Sequence, residues 1–186
     1  MKKLAFIFLA VAFIVYLFGN GEPALLKPTP QEFQHGPIVP ANVGYDPQAW
    51  SYKDIDDKMG RGKGRVASKQ SINTVNFSAP YEGAQNATIN LRVDPAIGKN
   101  AYLSIARGQF MCGVSGCVVT VRFDDGKATA YSATIASDGS TDVVFIQNYD
   151  AFSRGLAKSS KMAIEAEFYR EGMRIFEFDT HGLKWP

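Results

Sequence analysis

Cys112 and Cys117 are the only cysteines in the 186-residue chain, and four residues separate them in QFMCGVSGCVVTV. A close thiol pair supports dithiol–disulfide exchange, half of a metal site, or a staple across a turn. Exchange catalysts of the thioredoxin type use the tighter Cys-x-x-Cys spacing, which is not the spacing found here. A tetrahedral zinc site needs a second pair of ligands, and the folded part offers His181 as its only histidine. His181 paired with a reduced thiol would make a nucleophilic dyad, but an oxidising compartment removes the thiol. In such a compartment Gly113, Val114, Ser115 and Gly116 read as a hairpin loop, with Cys112 and Cys117 bonded across it.

Other residues with chemical potential have plainer readings beside them. Glu165 and Glu167 share the polar face of one alternating segment. As a carboxylate pair they suit an envelope hydrolase, and as neighbours on a solvated strand they need no function. Asp124, Asp125 and Gly126 lack the further oxygen ligands of a calcium loop and read as a hairpin turn. The basic stretch KMGRGKGRVASK carries Lys58, Arg61, Lys63, Arg65 and Lys69 without the residue order of a phosphate-binding loop. These five side chains are expected either to meet an anionic partner or to lie in a solvated, mobile loop. No cofactor or metal is expected, and a net charge of +2 gives no global field for nucleic acid.

The start of the chain bears on the compartment. Lys2 and Lys3 precede an uncharged apolar run over residues 4–18, the pattern of a signal anchor or signal peptide occupying residues 1–20. As a helix the run spans roughly 22 Å, short of the roughly 30 Å hydrocarbon core, and the length favours cleavage. Cleavage wants an Ala-x-Ala-like site, and the nearest small pair is Gly19 and Gly21, with Leu17 and Phe18 crowding the alternatives, which favours retention of an inner-membrane helix with the rest of the chain in the periplasm. Secretion to the periplasm after cleavage is the alternative. Residues 21–49 contain six of the nine prolines and read as an extended tether, with His35 an ordinary residue in it.

From Trp50 to Pro186 the text is that of an all-β domain, a mainly antiparallel sandwich or barrel of about eight strands with one short helix. Residues 88–93, 117–123 and 161–169 alternate apolar and polar side chains cleanly, and 71–77, 101–112, 128–135, 142–148 and 173–179 complete the set. Asp125-Gly126, Asp138-Gly139 and Glu171-Gly172 punctuate the strands, so a meander of hairpins is the simplest topology. Phe152 and Leu156, four apart after Asn148 or Asp150, predict a helix of about two turns across one end of the sheet. The apolar parity is odd at Leu103 and Ile105 but even at Phe110 and Cys112, which predicts a β-bulge at Gly108.

The series Trp50, SIN, APYEG, INLRV, GQFMC, GC, VRFDDG, VFIQNYDAF, FYREG and FEFDTHGL resembles a pattern in uncharacterised exported or membrane-anchored proteins of proteobacteria and their prophages. The C-terminal half is similar, on fewer residues, to the invasion-associated locus B family, in which a cysteine pair with a GC element precedes strands and a closing glycine-leucine. Both resemblances imply an exported β domain and neither implies an activity. The expected function is therefore a non-enzymatic, envelope-located domain that binds a protein or an envelope component. A prophage-encoded factor that modifies the host surface is the alternative, and a carboxylate hydrolase is the third.

Overall fold

The computed structural model describes residues 49–186. The membrane segment expected over 1–20, and all but the last residue of the expected tether, lie outside the described residues. Eleven strands and one helix follow in order. They are β1 (Ser51–Asp56), β2 (Lys63–Gln70), β3 (Val75–Phe77), β4 (Gly83–Gln85), β5 (Ala87–Asp94) and β6 (Gly98–Ile105). After them come β7 (Cys117–Phe123), β8 (Thr129–Ile135), β9 (Val143–Ile146), α1 (Tyr149–Lys158), β10 (Lys161–Phe168) and β11 (Gly172–Asp179). Among the described residues no helix is long and apolar enough to cross a membrane.

The alternation read from the sequence sets the core. Ile89 and Leu91 of β5, Val119 and Val121 of β7, and Met162, Ile164 and Phe168 of β10 are buried. Each such side chain contributes roughly 1.5–3 kcal/mol when removed from water. Register carries the inner face from strand to strand, as in the row Ala67, Leu91, Ala101, Ile146, Ala133 and Cys117, each opposite the next.

The topology is not a simple meander. Nine strands form one antiparallel sheet in the order β1-β2-β5-β6-β9-β8-β7-β10-β11, and β3 and β4 form a separate hairpin. The three-stranded unit from β7 to β9 sits reversed between β6 and β10, as in Greek keys. Turn residues specify each hairpin correctly, but they do not specify which long connection returns beside which strand.

That crossover also replaces the expected bulge. Strand β6 ends at Ile105, and residues 106–116 carry the chain over to β7, meeting the end of β10 on the way. Phe110 bridges Phe168, Met111 N–H donates to the Glu167 carbonyl at 2.8 Å, and Tyr169 N–H donates to the Gln109 carbonyl at 2.8 Å. The parity switches because a new extended segment begins, aligned with another partner. Gly108 has a φ of 155°, and a Cβ there would fall 2.9 Å from the Phe77 ring, so the crossover passes too close for a side chain.

The sheet curls until its last strand meets the segment after β2. Ile72 N–H donates to the Glu177 carbonyl at 2.7 Å, Glu177 N–H donates to Asn73 Oδ1 at 2.8 Å, and Asn73 Nδ2 donates to the Ile175 carbonyl at 2.9 Å. The result is a barrel-like sheet with an open seam, and Trp50 Nε1 reaches the Thr180 carbonyl at 3.3 Å.

The helix lies where the sequence placed it, with Phe152 and Leu156 buried. Asn148 is the N-cap residue, but in a left-handed conformation and without a side-chain capping bond. Phe152 packs its ring on Phe123 and Tyr131, at 5.9 and 5.7 Å between centroids. Gly155 faces the same ring, and a Cβ there would stand 2.4 Å from Phe123. Replacing a mid-helix glycine with alanine ordinarily stabilises by about 1 kcal/mol. Here Gly155→Ala is expected to destabilise by about 1–3 kcal/mol through overpacking, measured by urea denaturation. A gain in stability would show that Phe123 moves aside freely.

Candidate functional site

The outer face of β7, β10 and β11 is not the uniformly polar surface that alternation usually leaves. Register sets Arg122, Ala163 and Glu177 in one row and Thr120, Glu165 and Ile175 in the next. Ala163 is flanked by longer side chains on both sides, and Ala128 adds a second small residue. Where these small side chains leave the surface unfilled there is a hollow of about 380 Å³, walled by Arg122, Glu165, Glu177 and Ile175. A second hollow of about 280 Å³ adjoins it, sharing Arg122, Ala163 and Glu177 and reaching Ile72 and Lys161.

Ile175 is 48% exposed at this wall, and Ile72, Met173 and Val118 are exposed nearby. Glu165, Glu167 and Glu177 form no ion pair among the described residues, and neither does Arg122. The lining thus offers an apolar floor under two carboxylates and one guanidinium, suited to a segment carrying apolar and basic groups.

Glu165 was legible as a polar-face residue, but its partner in the hollow is Glu177, on the neighbouring strand. Glu167 does not line either hollow. Ile175, Ala163 and Ala128 carried no chemical signal at all, because the hollow arises from register and small size.

The basic stretch is not a mobile loop. It forms a hairpin turn and strand β2, with β1 preceding it. Asp57 organises the turn, accepting the Met59 N–H at 3.2 Å, the Arg61 N–H at 2.7 Å, and Arg61 Nε and Nη2 at 2.8 Å each. The Arg61 guanidinium is the main cause that lowers the Asp57 carboxyl to about 2, with the backbone N–H groups of Arg61 and Met59 assisting. Asp57 and Arg61 stand four apart, a spacing that could have announced the pair.

Arg65 lies over the Tyr52 ring at 4.5 Å and 3.9 Å from Asp54. Lys69 faces the core, opposite Ile89 in the register, and is only 2% exposed. Of the five basic residues singled out, Lys58 and Lys63 are exposed without an ion pair among the described residues, and Met59 at the tip between them is 78% exposed.

The cysteines are bonded, with sulfurs 2.10 Å apart, and Gly116 N–H closes the turn on the Gly113 carbonyl at 2.9 Å. Closing so short a loop is worth about 2 kcal/mol in the chain-entropy model. Reduction, or Cys112→Ser with Cys117→Ser, is expected to lower stability by about that amount while leaving the fold intact, as read by thermal denaturation. An unchanged melting temperature would contradict the assignment of a stabilising staple.

His181 lies past the end of β11, its Nδ1 2.7 Å from Asp179 Oδ1. The Asp-x-His spacing of Asp179 and His181 is the signal in the sequence that corresponds to this pair. The Asp179 carboxyl is lowered first by the His181 backbone N–H and then by the imidazole, with the nearby Lys69 charge adding to the effect. Both members are substantially exposed and line neither hollow. Among the described residues no group of three or more His, Cys, Asp or Glu side chains is arranged to hold a metal ion.

Glu171 has a different position, with its side chain 5% exposed. Its Oε1 accepts the Ser78 N–H at 2.6 Å and its Oε2 accepts Arg174 Nη2 at 2.8 Å. The Ser78 bond, then Arg174, holds its carboxyl below the ordinary glutamate range. Glu171 therefore ties the segment after β3 to the β10–β11 turn.

Fold and surface together define a curled antiparallel β domain with a hollowed outer face. No family model matches the chain, and no curated protein matches it. A solved structure similar to it is the invasion associated protein B from Bartonella henselae, at 16% identity over 72% of this chain and 85% of that one, with a TM-score of 0.42.

Proposed function

We propose that this is a non-enzymatic binding domain of the cell envelope, held at the outer side of the inner membrane by residues 4–18, that takes a protein segment into the hollow over Ala163. The apolar wall at Ile175, set among Glu165, Glu177 and Arg122, none of them in an ion pair among the described residues, is the observation that carries this reading. Exposed apolar side chains gathered on one face, here Ile175 with Ile72, Met173 and Val118, are the kind of surface that marks an interaction site. The Cys112–Cys117 bond supports the location, since disulfides persist in oxidising compartments.

Pull-down of the full-length chain from its native membrane in detergent is expected to recover a stoichiometric partner. Ile175→Glu is expected to lose it while keeping the wild-type melting temperature. Equal recovery by the variant would move the site elsewhere, and repeated recovery of nothing would count against a binding role. A hydrolase using Glu165 and Glu177 is the rival favoured by their sharing one hollow. It requires turnover of an envelope polymer that Glu165→Gln abolishes.

A further inference from the structure

The β1–β2 turn and the hollow over Ala163 are opposite in character and lie on one chain. The turn presents Met59 at its tip, with Lys58 and Lys63 to either side and neither in an ion pair among the described residues. The hollow presents a floor of alanines, the side of Ile175, and the carboxylates of Glu165 and Glu177, which outnumber the one guanidinium, Arg122, on its wall. A methionine side chain is unbranched and adapts to irregular apolar gaps, and ammonium groups beside it would meet the two carboxylates at the rim.

The turn is also held in shape before any contact is made. Asp57 accepts hydrogen bonds from both the backbone and the side chain of Arg61 and from the Met59 N–H, and its own carbonyl accepts the Gly60 N–H at 3.0 Å. A loop ordered in the free protein loses little conformational freedom on docking. Arg61 is occupied inside the turn, which leaves Lys58 and Lys63 as the cations available to a neighbour.

We propose that the occupant of the hollow is the β1–β2 turn of a second copy of this chain, with Met59 seated over Ala163 and Lys58 and Lys63 paired with Glu165 and Glu177. This rests on the reading that the hollow binds a protein segment, and it names that segment. Because donor and acceptor surfaces differ, the contact either closes reciprocally in a two-fold dimer or propagates from copy to copy into a ring or an open row.

The full-length chain in detergent tests it by sedimentation. The wild-type particle mass is expected to rise with protein concentration. Lys58→Glu with Lys63→Glu, and separately Glu165→Lys with Glu177→Lys, are each expected to weaken association at least about tenfold. An equimolar mixture of the two variants is expected to associate again, because each turn then meets a hollow of opposite charge. Zero-length carbodiimide coupling of isotopically mixed wild-type copies should join Lys58 or Lys63 of one copy to Glu165 or Glu177 of another.

A wild-type chain that stays monomeric at every concentration overturns the proposal. So does association that both charge-reversed variants retain in full, since it would arise elsewhere on the chain. A monomeric wild type that still captures an Ile175-dependent partner overturns this inference alone and leaves the binding role standing.

Discussion

Phe168→Ala is expected to lower the stability of the domain by about 3–5 kcal/mol. Phe168 is fully buried at the end of β10, and its ring meets three others, Phe110 at 4.5 Å, Phe77 at 5.1 Å and Phe176 at 5.8 Å between centroids. Those rings come from the crossover after β6, from the β3 hairpin and from β11, none of which is adjacent to another in sequence. Removing the central ring opens a cavity and also releases the crossover, whose bridge partner is Phe168 itself. The midpoint of urea unfolding should fall without a change in slope, and Phe168→Leu should recover much of the loss. A cost below about 1 kcal/mol would mean that the surrounding rings collapse into the space, and the crossover would then owe little to this cluster.

Lys69 yields a prediction of sign. Its stem lies in the core opposite Ile89, its ammonium makes no hydrogen bond or ion pair among the described residues, and no fully enclosed polar side-chain atom there lacks a partner. The residue therefore threads its methylenes through the apolar interior and brings the charge out where it meets water, near Asp179. Lys69→Met keeps the stem and removes only the charge, so stability is expected to change by less than about 1.5 kcal/mol. Lys69→Glu shortens the stem, strands a carboxylate beneath the surface and sets it against Asp179, with a cost on the order of 3 kcal/mol. Equal effects of the two substitutions, by urea denaturation, would show that the position is not enclosed as described.

The elements that declared themselves in the sequence are those with one wet face and one dry face. Strands β5, β7, β10 and β11 and the helix fall where alternation, Asp-Gly turns and the Phe152–Leu156 spacing put them. Strands β1 and β2 were missed because charge and glycine dominate their text. Three of the six residues of β1 are charged, and β2 hides its core contacts in Ala67 and in a lysine. The parity switch at Gly108 was a real signal with a second solution, a strand end followed by a crossover, and only the position of Phe168 decides between the two.

Surface chemistry was less legible than the fold. Five basic residues in one stretch look alike in sequence, yet Asp57 takes one, Tyr52 another and the core a third. The hollow depends on Ala163 lying between Arg122 and Glu177 on neighbouring strands, a juxtaposition set by register among segments far apart in the chain.

The seam where β11 meets residues 72 and 73 keeps copies of this domain from adding strands to one another's sheets. A free strand edge is a template onto which any extended chain can add, and a nine-stranded sheet has two such edges. Asn73 and Ile72 fill hydrogen-bonding positions along β11 with the domain's own backbone and amide groups. The other edge, β1, carries Lys53, Asp54 and Asp56, whose charges discourage an incoming strand. Growth by sheet extension, the route to amyloid-like deposits, is thus obstructed at both ends.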